Sequence, residues 1–188
     1  MNKKSIIYGI VFCLFVLFDS SVFAGSCYPV YGLCGYHKAG GKTYPAYRHP
    51  APNNSCVAVW EHLTDMSKDE KKVFDEEIKK NFPNAQFISG STVKYNCHSY
   101  AWYSQSTKNK YWMDDPYWYI NDGSHSRNTN STPDRGDKVH YYKGDHSAVG
   151  YSGRTVKSKW GAGPLMKHKV NYGPPIYKMA YYRFYMEN

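Results

Sequence analysis

Helical spacing is confined to two short stretches of this chain, and the residues after them read as short strands separated by tight turns. The first stretch runs from about Ser67 to Phe82. Ser67 and Glu70 form a capping-box pair, and acidic residues fill the first turn. Val73, Phe74 and Ile78 share one side, Lys79 and Lys80 occupy the last turn, and Pro83 stops the helix. A second helix starts near Asn96 and runs through Tyr103 or a little further. The segment from Asn109 to Pro133 reads as a long loop, broken at Asp115-Pro116, Asp122-Gly123 and Thr132-Pro133. Strands are expected at Lys138–Tyr142, His146–Tyr151, Thr155–Trp160 and Tyr177–Tyr185, with tight connections at Lys143-Gly144-Asp145 and Ser152-Gly153. Helices first and antiparallel strands later is the order of an α+β fold, with helices packed on one face of a sheet.

The N-terminus has the layout of a secretory signal. Asn2, Lys3 and Lys4 precede an apolar run from Ile6 to Phe18, and Val22-Phe23-Ala24 offers small residues before a cut. The run is too short for a transmembrane helix. The expected organisation is a signal peptide over 1–24, an irregular disulfide-stapled arm over 25–60, and a catalytic domain over 61–188. Export implies a secreted, periplasmic or envelope location. Cys13 leaves with the signal, and Cys27, Cys34, Cys56 and Cys97 remain of the five cysteines. Two disulfides are the default in an oxidising compartment. If Cys97 stays free, one of the other three is left over. Ala24-Gly25-Ser26-Cys27 loosely matches a lipobox, so a lipid anchor at Cys27 is one resolution, leaving Cys34 to pair with Cys56. The connectivity is not legible from spacing.

The net charge is +9, and 18% of the residues are aromatic, 20 of them tyrosine. A basic exported chain is drawn to anionic polymers such as those of a cell envelope. Its lysines and arginines are scattered, so a solubilising surface is the competing explanation. The tyrosines suit strands and cores as well as a groove for glycan or peptide. No His-Glu-x-x-His or paired Cys-x-x-Cys run points to zinc, and no glycine-rich loop points to a phosphate cradle. No metal, cofactor or nucleic-acid partner is expected, and a monomer is.

The chemistry concentrates in Tyr95-Asn96-Cys97-His98-Ser99-Tyr100-Ala101-Trp102. Asn96 is a good N-cap, which puts Cys97 in the first turn. There the macrodipole and free N–H groups favour a thiolate and can hold an oxyanion. A cysteine nucleophile needs a base, and His146 opens a strand after the turn Pro133-Asp134-Arg135-Gly136-Asp137. His98 points about 100° away from Cys97 on a helix and reads as exposed or groove-lining. Asn96, Trp102 and Trp160 are candidate substrate-binding residues, with Trp112 and Trp118 as further groove walls. Each tryptophan also reads as core. Asp134 and Asp137 read as turn caps.

In order and spacing, the stretch from Asn96 to Trp160 resembles the papain-like cysteine hydrolases of the NlpC/P60 group. The matching positions are Cys97, Gly136-Asp137, His146 and Ser158, the last standing where that group places its third catalytic residue. The chain departs from the group at Asn96-Cys97-His98-Ser99, where Asp-Cys-Ser-Gly is usual. Ser158 is a weak orienter of an imidazole, and Lys159 and Asn171 are rivals for its place. The resemblance implies a papain-like fold and cleavage of amide bonds, most directly in peptidoglycan stem peptides. Two alternatives stand beside it. One is a non-catalytic exported module that grips glycan or a protein partner, with Cys97 oxidised and His146 structural. The other is a secreted amidase toxin.

Overall fold

The computed structural model describes residues 27–31, 36–39, 42–45, 57–62, 64–121, 123, 125–142, 144–173 and 180–184. The expected signal segment, Cys34 and Cys56 lie outside these residues, as does the side chain of Cys27, so the signal, the lipid anchor and the disulfides do too. Among the described residues, no helix is long and apolar enough to cross a membrane.

The region read as an irregular arm contains strands. β1 (Cys27–Tyr31) pairs antiparallel with β4 (Ala58–His62), and β2 (Tyr36–Ala39) pairs with β3 (Lys42–Pro45). The β1–β4 register runs from Cys27 opposite His62 to Tyr31 opposite Ala58, so the arm and the expected catalytic domain share a sheet across residue 60.

α1 (Lys68–Asn81) forms as its caps dictate. Ser67 Oγ accepts the Glu70 amide, and Glu70 Oε2 accepts the Ser67 amide at 2.7 Å. Ile78 is its buried residue, with Phe82 just beyond, whereas Val73 is 61% exposed and turns away from the core.

The main sheet has seven antiparallel strands in the order β5-β10-β9-β8-β7-β11-β6. These are β5 (Gln86–Ser89), β6 (His125–Asn128), β7 (Lys138–Tyr141), β8 (His146–Ser152), β9 (Thr155–Lys159), β10 (Leu165–Lys169) and β11 (Ala180–Phe184). The four expected strands are present within a residue or so at most ends, but β5, β6 and β10 were not expected. The segment read as a long loop contains β6 and α2 (Tyr117–Asn121). Both are too short to leave a periodic signal. The fold is α+β, and its helices cover both faces of the sheet, not one. Val149 and Leu165 pack with Tyr95, Tyr100 and Trp102 of the second helical segment. On the opposite face Met166 packs with Ile78, Phe82 and Trp160, while Ala148 and Val156 pack with Val139, Tyr141 and Val170.

One turn sets the approach to β7 and β8. Asp137 N–H donates to Asp134 O, and Gly136 between them has φ +90°, a conformation that favours glycine. Asp137 is buried, and its carboxylate accepts the Asp134 amide at 2.8 Å, the Asn128 side-chain amide and Arg183 Nε at 3.2 Å. It thus caps its turn, as the sequence implies. Gly136 and Gly150 exchange further backbone bonds with β8 and this turn, and a Cβ on Gly150 would sit 2.0 Å from Asp134 O.

Candidate active site

Asn96 caps the second helical segment as expected: its Oδ1 accepts the Ser99 amide at 3.1 Å. Cys97 and His98 follow in α conformation, and Ser99–Tyr103 continues as a π-helical turn, a form enriched at functional sites. The rest of the Asn96 amide is committed to scaffold. Oδ1 also accepts the Met113 amide, and Nδ2 donates to Met113 O at 2.7 Å. Asn96 therefore clamps the segment to the following chain, and at 4% exposure it is scaffold in this structure where the sequence offered it as a substrate contact.

Cys97 is a free thiol with 5% exposure. Burial pushes its pKa up to about 12, against the pull of the Ser147 and His98 backbone amides and of the Lys159 ammonium. The residue therefore rests as the neutral thiol. The two amides that favour the ionised sulfur are also the groups that could hold negative charge developing beside it.

His146 is 7% exposed, and burial lowers its pKa to about 3, with His168, His98 and His140 acting in the same direction. Its Nε2 is buried and has no hydrogen-bond partner. Alternation along β8 places His146 with Ala148 on the α1 face and Ser147 with Val149 on the face of the Cys97 segment. The His146 ring packs on Tyr141, its cross-strand neighbour, at 5.3 Å. No hydrogen bond joins the Cys97 thiol to His146 Nε2. What the fold brings to the sulfur is the amide of Ser147, the residue directly after His146.

His98 is 2% exposed, contrary to the expected groove-lining position. Its Nδ1 meets Ser147 Oγ at 2.8 Å and its Nε2 meets Asp145 Oδ1 at 3.0 Å. Ser147 Oγ also accepts Trp102 Nε1–H at 2.9 Å. The hydroxyl proton is then free for His98 Nδ1, and Nε2–H donates to the carboxylate. This bond holds Asp145 below the usual carboxylate range. Asp145 takes φ +46°, so the chain turns sharply into β8 where His98 grips it.

The same pattern recurs beside Ser158. Trp160 Nε1–H donates to Ser158 Oγ at 2.8 Å, and Ser158 Oγ meets His168 Nε2 at 2.7 Å. Ser158 therefore orients His168 and does not reach His146, which removes it from the expected third catalytic position. Lys159, its first rival, directs Nζ to the carbonyls of Thr92 (3.0 Å), Gly161 (2.7 Å) and Gly163. Burial lowers its pKa to about 7. Asn171, the other rival, is exposed. Trp102 and Trp160 are 4% and 1% exposed, so of their two readings, core and groove wall, they fit the core one. The Trp118 side chain lies outside the described residues.

One residue that sequence reasoning missed is His140. It faces Ser147 across the β7–β8 ladder, its ring lies 6.3 Å from that of His98, and its buried Nδ1 has no partner. Burial lowers its pKa to about 4. Alternation along β7 from the buried Val139 and Tyr141 was the available signal. The fold thus defines an α+β protein with a buried thiol at a helix start, beside the first residues of a central strand where histidines converge. Comparison of the chain with protein-family models, curated proteins and solved structures returned no match.

Proposed function

We propose that the protein is a cysteine hydrolase that cleaves amide bonds, with Cys97 as nucleophile and His146 as base. The observation that carries this reading is a free thiol in a first helical turn, with the Ser147 amide directed at it and the unpartnered Nε2 of His146 one residue away. An unpartnered buried imidazole nitrogen costs stability, and proton transfer gives it a use. Both groups rest neutral, so the thiol proton passes to His146 Nε2 as the sulfur attacks, with no thiolate–imidazolium pair formed beforehand. His146 and the Cys97 segment rest on opposite faces of β8, so this transfer requires the imidazole, on the first residue of the strand, to swing round its end to the sulfur. Sulfur bonds to the carbonyl carbon, and its oxygen becomes an anion facing the Ser147 and His98 amides. Collapse expels the amine with the proton held by His146, and water then frees the acid from the thioester.

The resemblance to NlpC/P60 hydrolases points to stem peptides of peptidoglycan as substrate and, with the N-terminal signal pattern, to action outside the cytoplasm. Digestion of purified peptidoglycan by the wild type and by Cys97→Ala, with fragments read by mass spectrometry, tests the reading. New amine and carboxyl termini with the wild type alone are the expected result. Identical digests refute it for this substrate.

A second reading has its own support. Cys97 and His146 are almost closed to solvent, and the thiol is held far from ionisation. A binding module with a buried cysteine would look the same, and it predicts that Cys97→Ala retains every measurable property except some stability.

A further inference from the structure

The two amides that meet the Cys97 sulfur belong to His98 and Ser147, and the side chains of the same two residues meet each other. His98 Nδ1 lies 2.8 Å from Ser147 Oγ. The residues stand 49 positions apart, one on the Cys97 segment and one on β8. No local backbone geometry therefore sets the distance between their N–H groups. The side-chain contact supplies it.

Further bonds leave that contact little freedom. Trp102, on the same segment as Cys97, donates Nε1–H to Ser147 Oγ at 2.9 Å. The hydroxyl proton then turns to His98 Nδ1. Asp145 Oδ1 accepts Nε2–H at 3.0 Å, which holds the tautomer whose Nδ1 is an acceptor. The imidazole is thus gripped at both nitrogens by residues two apart on the chain entering β8. His98 and Ser147 are buried, so water does not compete for these bonds. Trp160, Ser158 and His168 repeat the indole–hydroxyl–imidazole pattern on the α1 face of the sheet, with no thiol in it.

We propose that the side chains of His98 and Ser147 are positioning groups, whose contact sets their two backbone amides around the oxyanion that forms at Cys97. The inference rests on the hydrolase reading and adds to it what keeps the oxyanion donors in place. Such donors act from about 2.7–3.1 Å, and a misplacement of about 1 Å costs about a hundredfold in rate. The His98 amide comes with the helix start, directly after Cys97. The Ser147 amide arrives from another element, and its distance from the first depends on the contact.

The test is hydrolysis of solubilised peptidoglycan fragments by the full chain, with kcat and KM referred to the folded fraction. Ser147→Ala and His98→Phe remove the contact and keep both amides. His98→Asn keeps a polar group that can meet Ser147 Oγ. Ser158→Ala is the control, breaking the matched contact on the other face. The expected result is a fall of about tenfold or more in kcat for Ser147→Ala and His98→Phe with KM unchanged, recovery to within about threefold of wild type in His98→Asn, and wild-type kcat in Ser158→Ala. Wild-type kcat in Ser147→Ala, or an equal loss in Ser158→Ala, would overturn the inference and leave the hydrolase reading standing. Cleavage by the wild type no greater than by Cys97→Ala would overturn both. Where Ser147→Ala fails to fold, the two His98 variants decide, and equal kcat in them would overturn the inference.

Discussion

His98 and Ser147 meet side chain to side chain at 2.8 Å, and this buried contact ties the helix that carries Cys97 to the strand that carries His146. It also accounts for the Trp102 indole, whose N–H ends on the same hydroxyl. Ser147→Ala leaves that N–H and a nitrogen of His98 without their partner in a closed core. The expected cost is about 1–3 kcal/mol, read as a lower denaturation midpoint with an unchanged slope. A double-mutant cycle with His98→Ala should return a coupling of at least about 0.5 kcal/mol. Strict additivity would mean that the contact is incidental.

Ser158→Ala should behave as a structural variant. Trp160 and His168 lose a shared partner, so stability falls by about 1–3 kcal/mol. If the protein is the proposed hydrolase, turnover per folded molecule stays at the wild-type level, whereas His146→Ala removes it. A pH–rate profile altered by Ser158→Ala would return the serine to the catalytic machinery.

Acid should destabilise the protein through its buried histidines. His146 and His140 have folded pKa values lowered to about 3 and about 4, against 6.5 when unfolded. Between those values the unfolded chain binds more protons, so stability rises with pH and is lost as pH falls below about 6.5. Urea midpoints measured from pH 7 to pH 4 should drop steadily, and His146→Gln should flatten the slope. A midpoint independent of pH in this window would contradict the burial of both rings.

Alkylation of Cys97 by iodoacetamide should be slow at pH 7, slower than that of a free cysteine peptide. The thiolate is the reacting form, and burial holds the pKa near 12. The rate should climb about tenfold per pH unit without levelling below pH 10. A plateau near neutrality would reveal a preformed thiolate.

Gly150→Ala should be among the most damaging small substitutions. The added methyl meets the Asp134 carbonyl at 2.0 Å, and that backbone is fixed by the Asp137 carboxylate. The strain is at the upper end of about 1–3 kcal/mol for overpacking, and thermal unfolding should show it. An unchanged melting temperature would mean that the turn is far looser than its hydrogen bonds imply.

Much of the scaffold was legible before folding was considered. Ser67, Glu70 and Pro83 state where α1 begins and ends because capping is local chemistry within a few residues. Asn96 announces the next helix for the same reason. The turns at Gly136 and Gly153 mark strand ends because only glycine takes their φ cheaply. β5, β6 and β10 escaped notice, being four or five residues each with burial decided by neighbours remote in the chain.

The site divides along the same line. Its residue types and order, a capped Cys97 followed much later by a strand-opening His146, belong to the sequence alone. Which groups touch belongs to the tertiary structure. Ser158 is adjacent to Trp160 by alternation, but His168 reaches it only through the β9–β10 register. His98 is a surface-like neighbour of Cys97 until Asp145, in the turn before β8, and Ser147, within it, close over it. Local propensity is set by each residue and its nearest neighbours, whereas burial, partnership and protonation depend on which strands lie side by side. That pairing gave His168 its partner, and left Nε2 of His146 and Nδ1 of His140 with none.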